Sequence, residues 1–231
     1  MYRTISGSGQ EENSIDRGLK TGVQSTKREN IRSIFRFIKS EGLLTSIQSM
    51  VEIKFFGRGG QGAVIASQIL AQAYFLMGWY PQCFALFGGE RRGAPVFSFL
   101  RVDEKKILLK CEIKRPDQMI FLASDLLEEK EIEACLKPNG LLLINKTQPN
   151  QPAVQSKPFH LAQVDALRIA AGEGLGSIIN TAILGAYCRA AGAVPLACLE
   201  EAIRGTVPAK VEANVAAARK AYELTNMFYG H

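Results

Sequence analysis

Val51-Glu52-Ile53-Lys54-Phe55-Phe56-Gly57-Arg58-Gly59-Gly60-Gln61-Gly62 carries a short apolar run straight into a glycine-rich turn, and a long apolar stretch reaching Met77 follows it. The run predicts a strand over 51–57. The stretch after it predicts a helix over 61–77, with Ile65, Ile69, Gln72 and Leu76 marking successive turns and so few polar positions that the helix must be buried. Glycines between strand and helix permit positive φ and let a ligand or a neighbouring backbone approach the helix N-terminus, whose free N–H groups and dipole favour an anion. Two readings stand open for Gly57, Gly59, Gly60, Gln61 and Gly62: tight strand–helix packing, or contact with a ligand or subunit.

Gly57, Gly59 and Gly62 satisfy the G-x-G-x-x-G spacing of dinucleotide-binding folds in the right strand–loop–helix setting. The second half of that fingerprint is missing. A ribose needs an acidic partner roughly 20 residues on, and no Asp or Glu occurs between Glu52 and Glu90, nor an Arg between Arg58 and Arg91 for a 2′-phosphate.

A second block, Phe87-Gly88-Gly89-Glu90-Arg91-Arg92-Gly93-Ala94-Pro95-Val96, follows at a fixed remove. With the glycine loop, Arg115-Pro116-Asp117, the turn Leu136-Lys137-Pro138-Asn139-Gly140 and the region around Asn180 and Asn214, it resembles the gamma subunit of 2-oxoacid:ferredoxin oxidoreductases over residues 50–225. The 2-oxoglutarate branch of that family has a shorter E-A-R-G-G type sequence where this chain reads Glu90-Arg91-Arg92-Gly93-Ala94-Pro95, which favours the pyruvate and branched-chain branch. Where relatives often read G-N-P, this chain has Gly174-Leu175-Gly176-Ser177-Ile178-Ile179-Asn180, a departure that leaves the particular 2-oxoacid open.

The resemblance implies a non-catalytic subunit of a complex that oxidatively decarboxylates a 2-oxoacid, pyruvate foremost, to acyl-CoA and reduces ferredoxin. Thiamine diphosphate, Mg2+ and [4Fe-4S] clusters then belong to the complex and not to this chain, with alpha, beta and ferredoxin-like delta subunits as partners. It also implies coenzyme A as the anion for the glycine loop. The rival is an independent nucleotide-binding or regulatory domain resting on that loop alone. Glu90, Arg91 and Arg92, set between glycines, read first as an inter-subunit ion-pair network, since guanidinium groups pair with carboxylates in a bidentate way; a coenzyme contact and a solvated turn are the alternatives. Arg58 is a charge that solvent could equally hold, and Asn180, Thr181 and Asn214 read as ordinary polar surface or helix-to-loop hydrogen bonding.

Composition narrows the classes. The chain has 231 residues, 47% of them hydrophobic, enough for one substantial core. Its net charge of +6 is spread out, without a basic stripe bearing interleaved aromatics, so nucleic-acid binding is not expected. Cys83, Cys111, Cys135, Cys188 and Cys198 form no C-x-x-C pair, and His160 and His231 stand far apart, so no metal ligand set is legible and the cysteines read as packing residues in a reducing cytoplasm. No apolar run reaches the length of a membrane span, and the N-terminus lacks the apolar core of a secretory signal.

Two segments emerge: an extension, 1–49, and a main domain, 50–231. In the extension, Ile31, Ile34, Phe35 and Ile38 recur at helical spacing after a polar arm, and the segment reads either as a subunit-contact arm or as the product of an upstream start codon. In the domain, strands are expected at 80–86, 94–102, 107–113, 118–122 and 140–144, a crossover helix at 125–136, and helices at 163–171, 177–191, 195–204 and 208–224, with Pro195 and Pro208 in first turns. The expected fold is a three-layer α/β domain with a mostly parallel, Rossmann-like sheet and a helical C-terminal region.

Overall fold

The structure, a computed structural model, describes residues 50–87, 93–146 and 158–230. The amphipathic segment at 31–38 and the trio Glu90, Arg91 and Arg92 lie outside the described residues. The chain runs through β1 (Val51–Arg58), α1 (Ala63–Leu76), β2 (Tyr80–Phe87), β3 (Pro95–Asp103), β4 (Gln118–Phe121), α2 (Glu129–Cys135), β5 (Gly140–Asn145) and β6 (Phe159–Val164), then α3 (Ala166–Gly172), α4 (Asn180–Ala191), α5 (Leu196–Thr206), α6 (Val211–Leu224) and β7 (Asn226–Phe228).

The seven strands form one sheet in the order β2-β3-β1-β4-β5-β6-β7. β1, β4, β5 and β6 pair in parallel. β3 runs against both β1 and β2, and β7 runs against β6, so β2 shares the direction of β1 and only β3 and β7 oppose the rest. The sheet is therefore mostly parallel, as expected, with an antiparallel strand set into one side and a short one closing the other.

Period-two alternation decides which side chains each layer receives. Phe55 lies opposite Ser98, and the Ser98 hydroxyl meets that of Ser67 on α1 at 2.6 Å, which fixes the α1 face. Phe56, one residue on, lies opposite Phe97 and stacks on Phe121 at 4.1 Å between centroids. This second face packs with Met119, Leu142 and Ile144 against Ile132 of α2. The layer on the α1 face is helical: α1 packs on α4 and α5, and α4 on α6. Tyr74 of α1 and Tyr187 of α4 share a hydrogen bond of 2.8 Å between their buried hydroxyls, and burial pushes both phenols well above their ordinary range. Gly185 lets α4 approach α6 so closely that a Cβ there would lie 1.9 Å from the carbonyl oxygen of Ala218.

Expectation and structure part in several places. Residues 107–113 form no strand; β3 already has a partner on each edge, so this segment is held from the side, Arg101 donating to the Cys111 carbonyl at 2.7 Å and to Glu52 at 2.9 Å. Phe159–Val164 is a strand where the polar connection was expected to pass directly into a helix. The helix there starts only at Ala166, because Asp165 caps it by accepting from the Arg168 N–H at 2.9 Å. The crossover expected over 125–136 divides into a 3-10 turn, Ser124–Leu126, and α2. Pro195 is the N-cap residue of α5, while Pro208 precedes α6, whose N-cap is Lys210.

Candidate functional site

From β1 the chain crosses through α1 to β2 on one side, while β4 leads through α2 to β5 on the other. α1 and α2 cover opposite faces, so the strand order switches beside β1, and in open α/β sheets ligands bind outside the carboxyl ends of the strands at such a point. The glycine loop stands there. It leaves β1 at Arg58 and enters α1 at Ala63, two residues later than the sequence suggested.

Left-handed conformations fall on Gly60 (φ 98°) and Gly62 (φ 80°). Gly57 answers to packing, since a Cβ on it would lie 2.9 Å from that of Ala63. Gly62 answers to both demands: its φ disfavours a side chain, and a Cβ would lie 3.1 Å from Nδ2 of Asn180. Gly62 is also the N-cap of α1 and brings no capping side chain, and the first turn holds no acidic residue.

The two sequence blocks meet at this point. The Gly59 N–H donates to the Ala94 carbonyl at 2.9 Å, and the Arg58 guanidinium donates to the Gly93 carbonyl at 2.9 Å. Ladder pairing sets Gly57 against Val96 and Arg58 against Pro95. Arg58 is not left to solvent. Its Nε and Nη2 both donate to Oδ2 of Asp125 in the 3-10 turn after β4, bridging the carboxyl ends of two parallel strands, and these hydrogen bonds hold the Asp125 carboxyl below its ordinary range. Gln61 turns inward, with Oε1 accepting from the Arg58 N–H at 2.8 Å, so that oxygen is committed to the loop itself.

Asn180, Thr181 and Asn214 are buried, which corrects the surface half of their reading, while helix-to-loop hydrogen bonding holds at Asn214, whose amide donates to the Lys210 carbonyl. Asn180 opens α4, and its Oδ1 accepts from the Thr181 N–H at 2.8 Å. The Thr181 hydroxyl donates to Oδ1 of Asn214 at 2.9 Å, whose amide donates to the Lys210 carbonyl at 2.9 Å. The chain of bonds ties the start of α4 to the start of α6. Asp125 and Asn180 are the contributors that sequence reasoning did not assign to the loop; each arrives from a distant element, and only the switch-point topology would have pointed to the segment after β4.

Glycine loop residues Gly57, Gly59, Gly60, Gln61 and Gly62 thus come together, joined to Gly93 and Ala94. Of the cysteines, Cys188 and Cys198 are buried packing groups in the helical layer, where burial pushes the Cys198 thiol up to about 12; Cys83 and Cys135 are half-buried, and Cys111 is exposed, which corrects its reading as a packing residue. Among the described residues no cluster of three or more His, Cys, Asp or Glu side chains is placed to hold a metal ion, and no helix is long and apolar enough to cross a membrane.

Residues 52–224 match the family model for pyruvate ferredoxin/flavodoxin oxidoreductase. The common gamma subunit of the pyruvate/ketoisovalerate oxidoreductases of Pyrococcus furiosus is 47% identical over 184 residues, covering 78% of this chain and 99% of the relative. Pyruvate synthase subunit PorC of Methanocaldococcus jannaschii is 41% identical over 182 residues, 78% of this chain and all of that protein. Among solved structures, the pyruvate oxidoreductase subunit PORC of Thermotoga maritima superposes with a TM-score of 0.68 at 33% identity, covering 79% of this chain and 100% of its own. A 2-oxoglutarate:ferredoxin oxidoreductase from Magnetococcus marinus, at 17% identity and a TM-score of 0.63, shares the fold over 31% of its length. The chain belongs to the pyruvate ferredoxin/flavodoxin oxidoreductase family, as a gamma subunit.

Proposed function

We propose that this chain serves a complex that oxidatively decarboxylates a 2-oxoacid, pyruvate foremost, to acyl-CoA with ferredoxin as electron acceptor, and that its glycine loop contacts coenzyme A. The observation that carries the reading is the union of the two sequence blocks, through Gly59 to Ala94 and Arg58 to Gly93, at the switch point of the sheet and at the uncapped start of α1. Helix N–H groups and the dipole there suit a phosphate, and the first turn carries no carboxylate that would repel one.

The described residues do not fit thiamine diphosphate with Mg2+, nor a [4Fe-4S] cluster, because they gather no cysteine set or carboxylate cluster. Those groups supply the decarboxylation and the electron path from partner alpha, beta and delta subunits. This chain's part is to orient: Arg58, clamped by Asp125, fixes the loop, and the loop fixes the start of α1. Residues 50–231 form the gamma domain, and in the cytoplasmic assembly Arg91 and Arg92 pair with carboxylates, and Glu90 with a basic side chain, of a neighbouring subunit.

Native purification tests the proposal. The chain should co-isolate with larger subunits carrying iron and thiamine, and the complex should reduce ferredoxin only with a 2-oxoacid and coenzyme A present. Replacing Arg91 and Arg92 with alanine should weaken assembly before it slows turnover. Recovery of a lone, nucleotide-loaded monomer would refute the reading.

A further inference from the structure

We propose that a cavity at the amino ends of β4, β5 and β6 binds a small organic cation, an ammonium or guanidinium group on a short chain. The cavity measures about 230 Å³, and Ala190 and Ala191 in the last turn of α4 form part of its wall. Its floor is a row across three strands: ladder pairing sets Gln118 beside Leu141, and Leu141 beside His160. These strands run parallel to β1, so the cavity lies at the end of the sheet away from the glycine loop and owes nothing to the reading of that loop.

Two atoms of the row are shielded from solvent and lack a hydrogen-bond partner: Oε1 of Gln118 and Nδ1 of His160. Buried polar atoms normally find one. The Gln118 side chain already hydrogen-bonds the Tyr187 hydroxyl, and what it leaves unused is an oxygen, an acceptor. Imidazole offers Nδ1 as an acceptor too when Nε2 carries the proton. The wall has the same preference, because the carboxyl end of a helix carries unpaired carbonyls and the negative end of the dipole. Tyr229 closes one side, its ring edge-on to His160 with centroids 5.6 Å apart. At 63% exposure it is the side free to swing and admit a ligand to the row, and its ring face suits a cation. The charges nearby leave that preference intact. Lys137, the cation in the wall, is held by both oxygens of Asp117 at 3.0 Å and faces Glu52 at 3.6 Å. Arg189, next to Ala190, lies over the Tyr222 ring of α6. Acceptors, a helix carboxyl end and an aromatic face together select a cation over an anion. A volume below the roughly 300–1,000 Å³ of drug-sized sites limits it to a short chain.

The test is NMR on the full-length chain, with methylguanidinium and ethylammonium chloride as probes and sodium acetate as the anionic control. The chain has two histidines, so comparison with His160→Phe assigns the imidazole signals. Both cations should shift the His160 imidazole and the Gln118 side-chain amide together while Gly59 to Gly62 stay unmoved, and acetate should shift neither. Gln118→Glu, isosteric but with a charged acceptor, should tighten cation binding roughly tenfold, and Gln118→Met should weaken it by a similar factor. A gain on Gln118→Glu is a result that a merely structural glutamine would not produce. No shift with either cation, equal shifts with acetate, or equal affinities in the parent and both variants would overturn the proposal. Saturation-transfer NMR on the assembled complex then separates the sources of the cation. A methylguanidinium signal that Gln118→Met removes upholds a free small molecule as the occupant. A signal present on the chain alone and lost on assembly upholds the same chemistry, supplied by a Lys or Arg side chain of a neighbouring subunit.

Discussion

Gly185→Ala sets a favourable local term against a collision, and the structure decides between them. In a helix interior alanine is worth about 1 kcal/mol over glycine, so by propensity alone α4 would gain. The new Cβ, however, would stand 1.9 Å from the Ala218 carbonyl oxygen and 2.7 Å from its Cα. Those are backbone atoms of α6 and cannot swing aside as a side chain would, so the helices must separate by on the order of 1 Å before normal contact returns. Separation also strains the bond from Thr181 to Asn214, which crosses the same pair of helices at 2.9 Å. Overpacking of this kind costs about 1–3 kcal/mol or more; with an unyielding obstacle and a bond at risk, the upper end applies and the net loss after the helix gain is about 2 kcal/mol. For a domain of this size that lowers Tm by roughly 4–8 °C. Thermal melts followed by circular dichroism measure it. Ala218→Gly should not rescue the variant, because the obstacle is main chain. A Gly185→Ala protein as stable as the parent, or one restored by Ala218→Gly, would refute the close-approach argument.

Other outcomes follow from the same geometry. Tyr187→Phe leaves the Tyr74 hydroxyl buried without its partner and should cost about 1–3 kcal/mol, with the double Phe variant less affected than the single one; denaturant titration of the three proteins checks it. Both phenols are raised in the folded state, so the unfolded chain releases their protons first: their contribution to stability is intact below pH 10 and is lost as pH rises above it, visible as a falling Tm and as a step of tyrosinate absorbance that accompanies unfolding and shrinks in the double Phe variant. Asp125 is shifted the opposite way by its bonds to Arg58, so its contribution is present above the ordinary carboxylate range and fades as pH falls through the lowered value. Arg58→Gln should return its NMR titration midpoint to that of an unpaired carboxyl, and an unmoved midpoint would dismiss the pairing. Gly62→Ala should destabilise more than Gly60→Ala: both residues hold positive φ, at about 1–2 kcal/mol for a side chain, but only Gly62 also meets Asn180. Equal melting losses would show that Asn180 exerts no steric pressure.

The sequence made β1, the glycine loop and α1 legible because there local signals and tertiary demands agree: an apolar run, a turn that needs positive φ, and a helix without a polar face. The strands β2 and β3 were legible as well, though not their pairing with each other. What escaped was set by partners remote in the chain. Ile107–Ile113 has strand-forming residues, yet the edge it would need is taken, so Arg101 holds it instead. Phe159–Val164 includes Ala162 and Gln163, weak strand formers that become a strand because β5 offers them an edge. At the site, Asn180 looked like helix surface since nothing near it in sequence announces Gly62 at its side. Arg58 looked solvated because Asp125 lies 67 positions away.

The two ends of the sheet are unlike. β7 covers the outer side of β6 with only three residues, Asn226–Phe228, too short a ladder to hold a further strand firmly. At the opposite end β2 presents eight residues, Tyr-Pro-Gln-Cys-Phe-Ala-Leu-Phe, without a single charge, finishing in Phe87 at 67% exposure. Among the described residues, strand addition therefore has a longer template on one flank, though Pro81 takes one N–H from it, than on the other. Were copies of the described domain to pair by their edges, pairing through β2 alone would close after two chains instead of running on into a fibre.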